Sequence, residues 1–131
     1  MTEFYKQFFY EDNVEYSIVI DDDGEVAYAY LYKNSDIVGD VWLYNQASTP
    51  LIAIWEEKNL PFLNPQEFIK DVIPPIRNED EIAITWTHLS NNEFEHVLIY
   101  IRNKLIAKIS VGSTPGWSTC VAKSGPLALM F

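Results

Sequence analysis

Positive charge is scarce in this chain. Nine Lys and Arg stand against nineteen Asp and Glu in 131 residues, a formal net charge of −10. A surface of that sign repels phosphate, so nucleic acid is not expected as a partner, and anionic membranes are disfavoured on the same ground. A basic protein partner is allowed; solubility alone is the plainer explanation of the charge. Cysteine is scarcer still. Cys120 is the single one, which excludes an intrachain disulfide framework. No apolar run approaches the roughly 20 residues of a membrane span. The opening Met-Thr-Glu-Phe-Tyr-Lys-Gln-Phe-Phe-Tyr-Glu-Asp lacks the uninterrupted apolar core of a secretory signal. The expected compartment is the cytoplasm. Neither G-x-G-x-x-G nor a P-loop is present, and no cofactor is expected. Ser113, in Gly112-Ser113-Thr114-Pro115-Gly116, fits no G-x-S-x-G elbow, and Gly116 to Cys120 departs from that pattern at its last position.

What the chain does have is apolar and aromatic mass. Hydrophobic residues make up 48% and aromatic residues 15%, with eight Tyr and four Trp. That suffices for a folded domain, and the length prior gives one, residues 1–131. A chain of this size buries about two-thirds of its unfolded surface. Tyr and Trp favour sites with one wet edge.

The stretch Glu11 to Glu25 concentrates the charge. It holds seven carboxylates (Glu11, Asp12, Glu15, Asp21, Asp22, Asp23, Glu25) and no Lys or Arg. It also holds the alternating segment Val14 to Ile20, which a disordered acidic tail would lack. Val26 to Tyr32 alternates in turn, and Gly24 suits a left-handed turn position, so the pair reads as a hairpin with a three-residue loop. Setting Asp21 opposite Glu25 brings Ile18 against Tyr28 and Tyr16 against Tyr30, with both apolar faces coincident. Lys33 to Asp36 is a second turn. Ile37 to Tyr44 is a third strand, with Gly39 a candidate bulge. Residues 45–63, with the apolar patch Leu51 to Trp55, fit either a short strand or an ordered loop.

A helix is predicted next. Asn64 suits the N-cap and Pro65 the first helical position. Glu67 completes a capping box, with Leu63 and Phe68 as the hydrophobic staple. Pro74 and Pro75 stop it after Ile73. At about two and a half turns it needs a sheet to pack against. Strands are expected again at Glu81 to Leu89, Phe94 to Arg102, Leu105 to Val111 and Trp117 to Lys123, with turns at Ser90 to Glu93 and Arg102 to Lys104. The expected class is α+β: a mainly antiparallel twisted sheet in the order β-β-β-α-β-β-β-β, one short helix on a face.

Candidate chemistry is thin. His88 and His96 flank one hairpin. Apolar matching pairs Ile82 with Ile101, Ile84 with Ile99 and Trp86 with Val97, which sets His88 against Glu95 and His96 against Thr87, on opposite faces. Two separated histidines do not make a zinc site, which takes three or four ligands. Asp21-Asp22-Asp23-Gly24-Glu25 puts glycine fourth, where a calcium loop needs it sixth. Cys120 has no adjacent base or positive field and reads as a small buried hydrophobe. Acid pairs suited to glycosidase chemistry carry no specificity among nineteen carboxylates. No catalytic or metal residue is therefore assigned. The cluster Phe4, Tyr5, Phe8, Phe9, Tyr10 reads as a terminal strand or helix covering the sheet, ahead of a partner surface.

The stretch Tyr16 to Tyr44, together with Pro61-Phe62-Leu63-Asn64-Pro65, Pro115-Gly116-Trp117-Ser118 and Gly125-Pro126-Leu127-Ala128-Leu129, resembles a family of small uncharacterised acidic bacterial proteins. In size, acidity and expected make-up the chain is also similar in type to immunity proteins of bacterial toxin systems. The resemblance implies no catalytic residues. The first functional expectation is a non-enzymatic protein-binding domain, immunity- or antitoxin-like, that covers a basic site on a partner. Its surface would be Asp21, Asp22, Asp23 and Glu25, joined by Glu11, Asp12 and Glu15. Tyr28, Tyr30 and Trp42 would serve as aromatic anchors if the helix covers the other sheet face. The alternatives are a small-ligand-binding or enzymatic α+β domain with an aromatic pocket, and a structural homodimer. A pocket of drug-like volume holding His88 or His96 beside a carboxylate would favour the former, and a two-fold apolar interface the latter.

Overall fold

The structure is a computed structural model that describes residues 2–53, 55, 61–90 and 93–131. Two antiparallel units build it. The first sheet is a meander of β1 (Phe4–Phe9), β2 (Tyr16–Asp22), β3 (Val26–Lys33) and β4 (Asp36–Asn45), in that spatial order. The second holds β5 (Ile82–Ser90), β6 (Glu93–Ile101), β7 (Lys104–Ile109), β8 (Trp117–Ser118) and β9 (Leu129–Met130), again in sequence order. Among the described residues only the β8–β9 pair is parallel. Short turns make these hairpins. Arg102 and Asn103 both take positive φ, 49° and 67°, as a two-residue hairpin loop of type I′ requires. Asn34 does so between β3 and β4, at 55°.

The core lies between the sheets. Ile18, Ile20, Ala29, Leu31 and Val41 from the first meet Val97, Ile99, Ile101, Ile106 and Ile109 from the second, all buried. The outer edge of β4 is sealed to loops of the second sheet. Val38 accepts from Gly112 N–H, Asp40 N–H donates to Ser113, Gly116 N–H donates to Asp40, and Trp42 N–H donates to Leu127. Gly39 is the residue that allows this approach: a Cβ there would stand 2.7 Å from Ile109 Cγ2. It also adjoins the register shift between Leu31 and Tyr32, where the bulge was expected. On the far side the outer edges of β1 and β5 remain unpaired with each other among the described residues.

Three sequence expectations need correction. The α-helix at Asn64 to Ile73 is not formed, and no α-helix occurs among the described residues, so the class is mainly antiparallel β rather than α+β. Only a 3-10 turn, Gln66–Phe68, stands there, and the Asn64 side chain does not cap it. The backbone beyond is taken up by residues 120–122: Lys70 and Asp71 N–H donate to Cys120, Ala122 N–H donates to Phe68, and Ile69 bridges Val121. A helix this short gains little by itself, so tertiary pairing prevails. The same recruitment shortens the expected strand Trp117 to Lys123 to two residues.

The β2–β3 register is the second. Ile18 faces Leu31, Ile20 faces Ala29, Val19 faces Tyr30 and Asp21 faces Tyr28. Tyr28 and Tyr30 therefore lie on the face opposite Ile18 and Ile20. The strand continues through Asp22, and the reversal is made at Gly24, φ 91°. The small residues Ala27 and Ala29 sit toward the core, where a tyrosine ring would overfill the space.

The third correction is small. His88 faces Phe94 rather than Glu95, across a shift past Trp86. The rest of that hairpin, Ile82 with Ile101, Ile84 with Ile99 and Trp86 with Val97, has the expected register. Residues 91–92 of its turn, and residue 54 of the apolar patch, lie outside the described residues.

Candidate functional site

Alternation along β3 and β4 places Tyr28, Tyr30, Asp40 and Trp42 on the outer face of the first sheet, since Tyr28 pairs Trp42 and Tyr30 pairs Asp40. The connection after β4 folds back over this face. Asn45 holds it there: its Oδ1 accepts from Trp42 Nε1 at 2.8 Å and from Asn64 N–H at 3.0 Å, and its Nδ2 donates to the Asn64 carbonyl at 2.8 Å. Asn64 is buried in this exchange. Tyr28 OH adds a 2.7 Å bond to the Phe62 carbonyl.

Between the returning chain and the sheet is a cavity of about 500 Å³, lined by Tyr28, Tyr30, Asp40, Trp55, Phe62 and Leu127, with Pro61 and Pro126 at its sides. Its rings are ordered in pairs. Tyr28 and Tyr30 stack at 5.9 Å and 11°. Trp55 and Phe62 meet edge to face at 5.4 Å and 82°. Asp40 is the one carboxylate in the wall among the described residues. Its backbone is bonded on both sides, yet its side chain has no hydrogen bond or ion pair among the described residues. Burial holds the Asp40 carboxyl above its ordinary value. Tyr30 is pushed up to about 12, first by burial and then by Asp21, Asp40, Tyr32 and Asp23. Tyr28 is raised by burial first, then by Tyr30, Asp40 and Asp23. The charged groups acting on these phenols are all acidic.

The expected acidic tip divides. Asp22 is 1% exposed and is not part of an exposed surface. Tyr44 OH donates to its Oδ2 at 2.6 Å, Gln46 Nε2 to both oxygens at 2.7 and 2.8 Å, and Gly24 N–H to Oδ1 at 2.9 Å. Asp23 is exposed and builds the turn: its Oδ1 accepts from Glu25 and Val26 N–H at 2.9 and 3.0 Å. Glu25 is exposed, and its carbonyl receives Gln46 and Ala47 N–H. Asp21 is half-buried beside Tyr28; burial raises its carboxyl, helped by Asp23, Asp22 and Glu3. Trp42, 1% exposed, is buried on this outer face beneath the returning connection and is not a surface anchor. Glu11, Asp12 and Glu15 precede β2, whereas Asp21 to Glu25 lie at and beyond its far end, so the seven-residue strand separates the two acidic groups by about 20 Å.

The histidines stand apart. His96 Nδ1 lies 2.9 Å from Ser110 Oγ and its Nε2 3.2 Å from Glu95. His88 Nδ1 lies 3.2 Å from Tyr10 OH and 3.5 Å from Asp12 Oδ2, at a groove of about 440 Å³ lined by Phe8, Tyr10, Ile82, Ile84 and Trp86. Its side chain is 63% exposed, so water competes there with any bound group. Cys120 is fully buried, and burial foremost pushes its thiol up.

Asp40, Trp55, Phe62 and Leu127 were not singled out in the sequence. The signal for Asp40 was its place two residues before Trp42 in β4. Phe62 and Leu127 lie in the Pro-Phe and Gly-Pro-Leu segments that carried only the family resemblance. No helix is long and apolar enough to cross a membrane among the described residues. Comparison with protein-family models, with curated proteins and with solved structures gives no match to this chain.

Proposed function

We propose that this chain is a non-enzymatic protein-binding domain that receives a basic partner on the outer face of its first sheet. The observation that carries this is the placement of Asp21 opposite Tyr28 and of Asp40 opposite Tyr30 on one sheet face, beside an aromatic cavity. Carboxylates grouped on one face attract an oppositely charged surface and speed its arrival, and aromatic side chains supply contact area once it docks. Asp22, Trp42 and the buried Tyr28 drop out of the exposed surface expected from the sequence, Tyr28 remaining as a cavity wall; Asp40 enters it. The immunity- or antitoxin-like type belongs to this reading, as does a cytoplasmic setting, which the lone buried thiol supports. A net charge of −10 argues against nucleic acid and anionic membranes as partners.

The test uses a hexalysine peptide as the basic probe, with association measured at low and high salt. The comparison is wild type against Asp21→Asn/Asp23→Asn. Asparagine keeps the Oδ1 that accepts from Glu25 and Val26, so the turn is retained. A slower on-rate and a weaker salt dependence, with the off-rate nearly unchanged, are expected. An on-rate indifferent to both mutation and salt would overturn the reading.

A second reading, a small-ligand-binding domain, is favoured by the cavity itself. It is the size of many ligand sites and mostly apolar, with the Asp40 carboxylate and the Tyr28 and Tyr30 hydroxyls as its polar groups among the described residues.

A further inference from the structure

We infer that the cavity of Tyr28, Tyr30, Asp40, Trp55 and Phe62 is a binding site for an alkylammonium group. The inference goes beyond the protein-binding reading and does not need it, because a free organic cation and a lysine side chain present the same chemistry.

Aromatic faces attract cations through the ring quadrupole, most strongly where water is thinned. Four aromatic rings line this cavity, in two pairs from two walls: Tyr28 and Tyr30 from β3, Trp55 and Phe62 from the returning connection. The Tyr28 ring is fixed by its bond to the Phe62 carbonyl. Its hydroxyl is thus engaged with the backbone, which leaves the ring as its main offering to a guest.

Asp40 supplies the opposite charge. Its carboxylate is half-buried, with no hydrogen-bonding or charged partner of its own among the described residues. A bare carboxylate in apolar walls costs free energy, which an incoming cation would recover. The same groups reject other guests. An anion would meet Asp40, with Asp23 acting on both tyrosines and Asp21 on Tyr30. A neutral apolar guest would fill the volume but leave Asp40 desolvated and unpaired.

Among the described residues the titratable groups facing Asp40 are few: Tyr28 and Tyr30 come from β3, while Trp55, Pro61, Phe62, Pro126 and Leu127 bring no charge from the other walls.

The experiment titrates the full chain with choline and, separately, with 3,3-dimethyl-1-butanol, its neutral isostere, following backbone amide resonances. Choline is expected to shift Tyr30, Asp40 and Trp55 saturably and to bind about tenfold or more tighter than the alcohol. Asp40→Asn should remove that preference. Tyr30→Phe, which keeps the ring, should retain choline binding, and Tyr30→Leu should weaken it. The amide spectrum of each variant reports its fold. Equal affinity for choline and the alcohol, or no saturable shift at these residues, overturns the inference. Nα-acetyl-trimethyllysine amide and hexalysine form the second arm. Tight capture of the lysine derivative but weak binding of choline points to a partner side chain as the source, and the reverse to a free cation. Salt-dependent hexalysine association with no choline binding leaves the protein-binding reading standing and removes this one.

Discussion

Two aspartates in one sheet, Asp22 on β2 and Asp40 on β4, show how burial sorts chemically equal side chains. Asp22 is buried and satisfied: a phenol, an amide and a backbone N–H donate to it. Removing it would strand Tyr44 OH and the Gln46 amide, and Tyr44 OH also accepts from Ile76 N–H at 3.0 Å. Asp22→Ala is therefore expected to cost about 3 kcal/mol in urea unfolding. A loss near that of an ordinary surface substitution would contradict the network. Asp40 is the reverse case. Burial raises its folded pKa above the ordinary 3.8. A raised value means that the folded state holds the proton more tightly, so the stabilisation is full below 3.8 and is lost as pH rises through the folded value. At neutral pH the charged form opposes folding. Asp40→Asn should raise the denaturation midpoint at pH 7, with the gain vanishing below pH 3.8. A midpoint lowered at pH 7 would mean that Asp40 has a stabilising partner. Choline binding, which needs the carboxylate, should weaken as pH falls through the same raised value.

At the scale of elements, the hairpins were legible wherever apolar residues of similar size alternate. Ile82, Ile84 and Trp86 found Ile101, Ile99 and Val97 as matching dictated. Matching failed for β2 and β3, because β3 alternates Ala with Tyr and the small residues, not the large, face the core. Hydrophobic bulk was a poor guide where space under the sheet is limited. The helix at Asn64 to Ile73 was misread because capping signals are local, and the pairing with residues 120–122 is not visible along the chain. The cavity was half legible: Tyr28 and Tyr30 were singled out, but the returning wall depends on Asn45, whose exchange with Asn64 spans 19 residues. Asn45→Ala should destabilise by about 2 kcal/mol. It should also speed hydrogen exchange at Asn64 N–H. Unchanged exchange there would show that the wall is held by other contacts. Gly39→Ala, whose new Cβ would press on Ile109, should cost about 1–3 kcal/mol.

Over the whole molecule, the two sheets are closed along β4 and open along β1 and β5. The face between these sides carries the aromatic cavity and the carboxylates that act on it, in a chain whose net charge is −10. Closure along β4 fixes the sheet wall of the cavity, because Asp40 and Trp42 are tied by backbone bonds to residues 113, 116 and 127. A rigid site loses little freedom on binding. The claim that this face receives positive charge is tested most directly by mapping hexalysine onto the full chain through its backbone amide resonances. Shifts clustered at Asp21, Asp23, Tyr30 and Asp40, fading with added salt, are the expected result. Shifts centred instead on the groove of Tyr10, Trp86 and His88, or none at all, would contradict it.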